Sequence, residues 1–290
     1  MSATLTSEVD ARAALAGLLQ GYSAEVTARD KKSLECAPDM MPPGSEVFVA
    51  AIPGESLDRV VTAAAQIRKA GLVPVPHIVA RNLESRAVLE DLIARLVGEA
   101  GLDRALVLGG DRDHPAGEFN CSLQLIETGV FQRNGIGRIG LACYPEGHPR
   151  VADPILEEAR ASKLVAAGKA GLDVWLVSQF CFDPKPVIAL AERMRALGVK
   201  APFRVGVAGP AERTTLIKYA LMCGVGASMR ALKERQDLAM SVLTGETPEA
   251  LLTEVAVAQE RNPALGIDSV HFFTFGALAK SAQFASEHLR

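Results

Sequence analysis

The sequence has few aromatic residues and little excess charge. Aromatic side chains make up 5% of the 290 residues, with a single tryptophan, and the formal net charge is -3 at a pI near 6.0. Proteins that bind nucleic acid present a basic surface, and those that bind single strands add stacked aromatic rings. These shortages argue against a nucleic-acid partner, and we expect a small-molecule ligand.

Cysteine is also scarce and poorly arranged for cross-linking. The five cysteines are odd in number, widely spread and without a C-x-x-C pair. This pattern argues against a disulfide framework or a zinc knuckle and predicts mostly buried thiols. A metal site built from His77, Asp111, Glu146 or His148 is conceivable, but no pair has helical ligand spacing, so we predict no metal.

Long apolar runs are missing as well. No stretch is long enough to span a bilayer, and the first twenty residues lack the basic, apolar and small-residue order of a secretory signal. The sequence therefore predicts a cytoplasmic protein that does not contact a membrane. Hydrophobic residues, at 49% of the chain, are numerous enough for a large core. We expect one domain over residues 1–290.

Eight short apolar or alternating runs are typical of β-strands. They cover residues 22–27, 46–52, 73–80, 105–109, 138–143, 173–182, 203–208 and 269–275. Segments with helical spacing lie between them, and an alternating order requires a mainly parallel sheet, open or closed. No G-x-G-x-x-G turn follows the first strand, as an open dinucleotide-binding sheet would favour. Eight units match an α/β fold of the (β/α)8 or TIM-barrel type, with extra helices over 210–267, before the last strand.

Polar residues at the ends of these strands are the candidates for chemistry, because TIM-barrel active sites lie at the carboxyl ends. Glu25 stands in an otherwise apolar strand, where burial favours a protonated carboxyl and suits a general acid. An outward-facing, ion-paired glutamate explains the pattern equally well. Asp111 follows two glycines, which allow close approach to a ligand, although a turn or helix cap is the simpler interpretation. His77 stands in an apolar run, where a core histidine is the more frequent case.

Two further positions have a functional and an ordinary interpretation. The fixed amide plane of Gln179 suits recognition of a heterocycle edge, or else a hydrogen-bonded core amide. The run 206–211, a strand followed by a glycine and a helix start, favours an anion site near the seventh strand or an ordinary turn.

Several motifs, taken in order, resemble the methylenetetrahydrofolate reductase family of flavin-dependent TIM barrels. They are SAEVTARD at strand one, VPHIVAR at strand three, GGDRDHP at strand four, CYPEGHP at strand five, AGLDVWLVSQFCFD at strand six and VHFFTFG at strand eight. YPEGHP and QFCFD are the most specific, because their order and barrel positions agree with the family together. The likeness spans nearly the whole chain.

The resemblance implies reduction of 5,10-methylenetetrahydrofolate to 5-methyltetrahydrofolate with electrons from NADH or NADPH through bound FAD. It implies that Glu25 and Asp111 are catalytic residues, with Glu25 as the acid that opens the methylene bridge. It also implies that Asp111 and Gln179 engage the pterin and tune the flavin region, and that Phe182 lies with the substrate. The residues it places with the cofactor are His77, Gly109, Gly110, Asp111, Tyr144, Glu146 and His148. We also expect a homo-oligomer.

The sequence departs from the family at several flavin and folate contacts. A common arginine at strand four is Gly109, a usual threonine at strand two is Ala50 or Ala51, and an arginine near the end is replaced around Ala277. The lysines that precede strand six are out of register. These departures leave open a flavin-independent hydride transfer from NADH, a related one-carbon substrate, or a non-catalytic folate- or flavin-binding homologue. A barrel aldolase or lyase is disfavoured, because no lysine lies in the predicted strands.

Overall fold

The computed structural model describes residues 2–52, 54–225 and 248–289. Its strands form a closed parallel barrel in the order of the chain, and the predicted TIM barrel is confirmed. The strands are β1 (Ser23–Thr27), β2 (Glu46–Ala50), β3 (Val73–Val79), β4 (Arg104–Leu108), β5 (Arg138–Cys143), β6 (Asp173–Ser178), β7 (Phe203–Ala208) and β8 (Ile267–Phe273).

Helices follow the strands as the alternating pattern predicts. The described α-helices, numbered here in chain order, are α1 (Ser2–Leu19), α2 (Lys31–Met40), α3 (Leu57–Lys69), α4 (Arg86–Ala100), α5 (Ser122–Glu127), α6 (Val130–Arg133), α7 (Asp153–Lys169), α8 (Pro184–Ala196), α9 (Arg213–Met222), α10 (Glu249–Arg261) and α11 (Leu278–His288). Short 3-10 turns cover Ala80–Asn82 and Pro263–Leu265. No described helix has the length and the apolar composition that crossing a bilayer requires.

The extra helices predicted before the last strand are described in part. Helices α9 and α10 lie between β7 and β8, and α10 begins directly after Pro248. Residues 226–247, which belong to the same prediction, lie outside the described residues.

The prediction for strand six was wrong at its end. The sequence predicted a strand through residue 182, but β6 ends at Ser178. Phe180, Cys181 and Phe182 are 0%, 2% and 6% exposed, so three consecutive side chains are buried. The side chain of Asp183 then accepts a hydrogen bond from the Lys185 backbone and caps α8.

Contacts along the chain divide it into two compact units. Residues 1–24, 143–150 and 177–290 form one, called here the C-terminal unit, and residues 25–142 and 151–176 form the other, called the central unit. The prediction of a single domain over 1–290 stays a prediction.

Strand pairing in the central unit brings two candidate positions onto neighbouring strands. His77 of β3 pairs with Leu106 of β4, and Val79 pairs with Leu108. The backbone N–H of Arg81 then donates to the carbonyl of Gly109 at 2.9 Å, so contact between the two segments continues beyond the strands. The glycines after β4 are thereby fixed beside the end of β3.

Candidate active site

Glu25 and His77 lie together in the central unit. The Oε2 atom of Glu25 is 3.3 Å from Nε2 of His77, and the side chains are 18% and 9% exposed. The distance is that of an ion pair, but Nε2 makes no hydrogen bond of acceptable angle with any described residue. The edge of the His77 ring meets Phe48, with centroids 6.2 Å apart. A shielded carboxyl therefore stands beside a group that can hold a proton.

This pairing was not predicted from the sequence. The sequence assigned Glu25 to proton donation and His77 to the cofactor, from strands two apart in the barrel order. The carboxyl is largely buried, as the prediction of a general acid requires, and its catalytic role stays a prediction. His77 is in contact with a carboxyl group, which differs from the simple case of a satisfied core histidine.

The two glycines after β4 have different surroundings. Gly110 has a φ of +101°, and a Cβ atom there would lie 2.6 Å from Cγ1 of Val79. The chain itself therefore requires glycine at this position. At Gly109 a Cβ atom would meet no atom within 4 Å, so open space lies beside it. The turn therefore has room for the close approach of a ligand at Gly109. Asp111, the residue after the two glycines, is exposed.

Arg81 holds the loop that carries these residues. Its guanidinium donates from Nε to the carbonyl of Asn120 at 2.9 Å and from Nη1 to the carbonyl of Arg112 at 2.6 Å. Its own carbonyl accepts from the backbone of Ala116 at 2.9 Å. Loops of this length without regular structure are often functional. One arginine thus ties both ends of the β4–α5 loop to the end of β3.

The same loop has a second point of attachment. A Cβ atom at Gly117 would overlap the backbone carbonyl of Glu84, so glycine is needed for the close approach of the two segments. The carboxylate of Glu118 accepts a hydrogen bond from the backbone of Arg86 at the start of α4. The loop is therefore docked along residues 80–86 and has a defined path.

The segment after β5 forms a tight turn in the C-terminal unit. The backbone of Gly147 donates to the carbonyl of Tyr144 at 3.2 Å, Pro145 fixes the backbone angle of the second position, and Gly147 has a φ of +80°. The ring of His148 meets that of Tyr144 edge to face at 4.8 Å. Nδ1 of His148 accepts from the backbone of Arg150 at 3.1 Å, which places the proton of the neutral ring on Nε2.

Glu146, in that turn, is near a buried thiol. Burial raises the pKa of Cys181 above its ordinary value, and the negative charge of Glu146 raises it further. The thiol donates to the carbonyl of Asp183 at 3.3 Å. Cys181 is therefore a neutral, inert core residue at physiological pH. All five cysteines of the chain are free thiols, but only Cys143 and Cys181 are buried, so the prediction of mostly buried thiols was wrong.

Gln179 presents its amide in a fixed direction. Its backbone donates to the carbonyl of Cys143 at 2.8 Å, and its Oε1 atom accepts from the backbone of Phe180 at 3.0 Å. No described residue accepts a hydrogen bond from Nε2, and the side chain is partly exposed. The amide nitrogen is thus oriented as a donor, which suits an acceptor on the edge of a heterocycle.

Phe182 is 6% exposed and packs with other aromatic side chains of the C-terminal unit. The set, called here the aromatic cluster, consists of Phe180, Phe182, Tyr219, Phe273 and Phe275. The assignment of Phe182 to the substrate stays a prediction. The sequence predicted no role for Tyr219 or Phe275. Tyr219 lies in a predicted helical segment without a site motif, and Phe275 lies at the end of a predicted strand.

Packing explains the glycines of the run 206–211, for which the sequence allowed an anion site or an ordinary turn. A Cβ atom at Gly206 would overlap the carbonyl of Ser178, and one at Gly209 would overlap the hydroxyl of Ser281 in α11. Both glycines are thus required by neighbouring chain segments, which supports the interpretation as an ordinary turn.

Comparison with known proteins decides the family. A sequence profile of methylenetetrahydrofolate reductase matches residues 38–281. The chain belongs to this family. A solved structure of dihydropteroate synthase from Thermus thermophilus is similar, with 15% identity, a TM-score of 0.47, and coverage of 92% of this chain and 93% of that one. The resemblance to methylenetetrahydrofolate reductases is confirmed.

The range matched by the methylenetetrahydrofolate reductase profile contains every predicted site residue except Glu25, which precedes it. Its assignment as the acid therefore depends on the residues around it, and above all on His77. Among the described residues no three His, Cys, Asp or Glu side chains are grouped so that they could hold a metal ion.

Proposed function

We propose that this chain reduces 5,10-methylenetetrahydrofolate to 5-methyltetrahydrofolate with electrons from NADH or NADPH. Family membership supports a folate-linked reductase in general. The observation that carries the specific reaction is the shielded Glu25 carboxyl beside His77, 3.3 Å from its Nε2 atom. Reduction of the methylene bridge needs a proton at that stage, and this pair can supply one.

The proton opens the bridge between the two folate nitrogens. The bond between N10 and the methylene carbon breaks, N10 takes the proton from Glu25, and the carbon remains on N5 as an iminium. A hydride then reaches that carbon and gives the methyl group. One NAD(P)H and one proton are consumed, so the atoms and electrons balance. A positioned acid of this kind contributes about 100- to 10,000-fold in rate.

We propose that His77 orients the carboxyl group of Glu25. Its ring packs at a near-right angle to that of Phe48, and its Nε2 atom lies 3.3 Å from Oε2 of Glu25. An imidazole at this distance can fix the orientation of the carboxyl group and return a proton to it after each turnover. His77 is thus a positioning residue, and Glu25 makes the contact with substrate.

The central unit offers a buried polar atom and open space of the type that a bound FAD requires. Nε2 of His77 is buried and, beyond its contact with Glu25, makes no hydrogen bond with a described residue, and open space lies at Gly109. FAD supplies two-electron transfer between nicotinamide and folate when it is bound. The residues of this unit that we propose to hold it are His77, Gly109, Gly110 and Asp111, and the assignment of Tyr144, Glu146 and His148 to the cofactor stays a prediction.

One observation favours a second candidate, direct hydride transfer from NADH to folate without flavin. At Gly109, where the family commonly has an arginine, the space for a side chain is present and the chain places none there. Position 109 therefore supplies no cation to an anionic cofactor. The folate reaction and the role of Glu25 are the same in both candidates.

Two assays test these proposals. Purified protein is expected to oxidise NADH or NADPH only when methylenetetrahydrofolate is added, with 5-methyltetrahydrofolate identified by mass spectrometry. A yellow preparation that releases FAD on denaturation supports the flavin route, and a colourless active one supports the direct route. Tight folate binding without turnover from any electron donor would contradict the reductase and indicate a binding homologue.

A further inference from the structure

We propose that the outer face of α7 is the interface of a homodimer, in which α7 of one copy packs antiparallel against α7 of a second copy of this chain. The homo-oligomer expected from the sequence had no surface assigned to it. All the residues concerned belong to the central unit. The proposal concerns assembly and does not depend on the proposed reaction.

Helix α7 buries few of its own residues. Of its 17 residues only Arg160 and Ala167 are buried, whereas α3 buries five of 13 and α4 five of 15. Two large apolar side chains of α7 are strongly exposed, Ile155 at 58% and Val165 at 57%. Single exposed apolar residues are ordinary, but several on one element indicate an interaction surface. The described part of the chain leaves this surface of α7 open to solvent.

The exposed residues lie along one side of the helix, called here the outer stripe. It consists of Ile155, Glu158, Ser162, Val165 and Lys169. Steps of three and four residues separate them, so the side chains follow one another along the helix on the side opposite to the buried Arg160 and Ala167. The same steps of three and four occur where two helices pack along a shared seam. The small side chain of Ser162, at the centre of the stripe, permits the close approach of a second helix.

The charges of the outer stripe determine the direction of the pairing. Glu158 lies in the first half of α7 and Lys169 at its end, and both are exposed and form no ion pair with a described residue. A parallel pair of helices would place each charge beside its own copy, which is repulsive. An antiparallel pair with its two-fold axis near Ser162 brings Glu158 to within about one turn of Lys169 of the second copy. Ile155 and Val165 of the two copies approach each other in the same way.

A second copy of this chain is the partner that the outer stripe fits. A two-fold dimer uses the same surface on both subunits, so that surface must complement itself when it is reversed. The outer stripe meets this requirement, because an acid near one end corresponds to a base at the other. Helix α7 is only about 25 Å long, and one helix pair covers less than the roughly 800 Å² per partner of a standard interface. We therefore expect a reversible dimer with a dissociation constant in about the micromolar range.

Reversal of the two charges tests the antiparallel contact. Sedimentation velocity of the full chain at about 1 to 100 μM is expected to show a shift from monomer to dimer. Glu158→Lys and Lys169→Glu each place like charges together at two symmetry-related positions, and each is expected to weaken dimerisation about tenfold or more. The variant that carries both changes has opposite charges again and is expected to dimerise within about threefold of wild type.

An apolar variant and a matched control test the position of the interface. Ile155→Ser is expected to weaken dimerisation about tenfold, because apolar area is no longer buried between the copies. Leu197→Ser is the control, since Leu197 is 59% exposed but follows α8, outside the outer stripe. Its dimerisation should equal that of wild type. All these side chains are exposed, so melting temperatures should stay within about 2 °C of wild type.

The outcomes separate the interface from the proposed reaction. Recovery in the double charge variant, together with weaker association of Ile155→Ser, supports the interface. A wild-type protein that is still monomeric at about 100 μM overturns it, whether or not the protein is an active reductase. A dimer that no α7 variant weakens also overturns it, because assembly then uses another face. Loss of association in both single charge variants without recovery in the double variant overturns the antiparallel pairing.

Discussion

The carboxylate of Glu25 lies 3.3 Å from Nε2 of His77, and both side chains are largely shielded from water. Glu25 comes from β1 and His77 from β3, so the barrel joins two residues that are far apart in sequence. In the proposed reaction this contact keeps an acid in place without exposing it to solvent.

The role of His77 is testable by its replacement with glutamine. His77→Gln keeps a polar side chain but cannot become a cation, so we expect kcat to fall about 10- to 100-fold and the pH profile of kcat/KM to change shape. KM for NAD(P)H should stay within about twofold of wild type. A variant with a lower melting temperature and an unchanged pH profile would show that His77 is structural only.

Arg81 should control the order of the β4–α5 loop. Lysine cannot donate to the carbonyls of both Asn120 and Arg112 in the planar geometry that the guanidinium provides. Arg81→Lys is therefore expected to speed hydrogen exchange over residues 109–121 several-fold and raise KM for the folate more than it lowers kcat. Arg59→Lys, at an exposed helix position, serves as the control. Unchanged exchange in the loop would contradict the clamp.

The two glycines after β4 should respond differently to alanine. Gly109→Ala adds a methyl group to open space and is expected to change the free energy of unfolding by less than about 0.5 kcal/mol. Gly110→Ala adds strain at positive φ and a contact with Val79, and should cost more than about 1 kcal/mol. Urea unfolding of both variants measures the difference, and equal costs would contradict the assigned geometry.

Tyr22 should make stability fall at alkaline pH. Burial raises the pKa of this phenol to about 12. Above pH 10 the unfolded chain loses the proton while the folded one retains it, so stability is complete below pH 10 and declines as pH approaches 12. Between pH 8 and 11, wild type should lose about 1.4 kcal/mol more than Tyr22→Phe in urea unfolding. Parallel losses in the two proteins would contradict this shift.

Strand order and barrel closure could be predicted from the sequence because eight apolar runs alternate with helical segments. Most strand boundaries agree within one or two residues. The end of β6 was missed because Phe180, Cys181 and Phe182 form an apolar run that periodicity cannot distinguish from a buried strand. Their burial results from aromatic packing in the C-terminal unit, which is a tertiary effect.

The candidate site could be predicted as residues but not as contacts. Motifs identified Glu25, His77 and Gln179, whereas the Glu25–His77 contact depends on barrel geometry. Arg81 was present in the VPHIVAR motif without a role, since its partners are backbone carbonyls more than thirty residues away. Phe275 was present in the VHFFTFG motif without a role, because a positive φ at a phenylalanine cannot be inferred from local sequence.

The most direct measurement compares the two halves of the proposed reaction in Glu25→Gln. Binding of NAD(P)H, and reduction of flavin if the protein holds it, should match wild type, while formation of 5-methyltetrahydrofolate should fall at least about 100-fold. Glu35→Gln, at an exposed position of α2, is the control and should behave as wild type in both assays. Normal folate reduction by Glu25→Gln, or equal loss of both activities, would contradict the assignment of Glu25 as the acid.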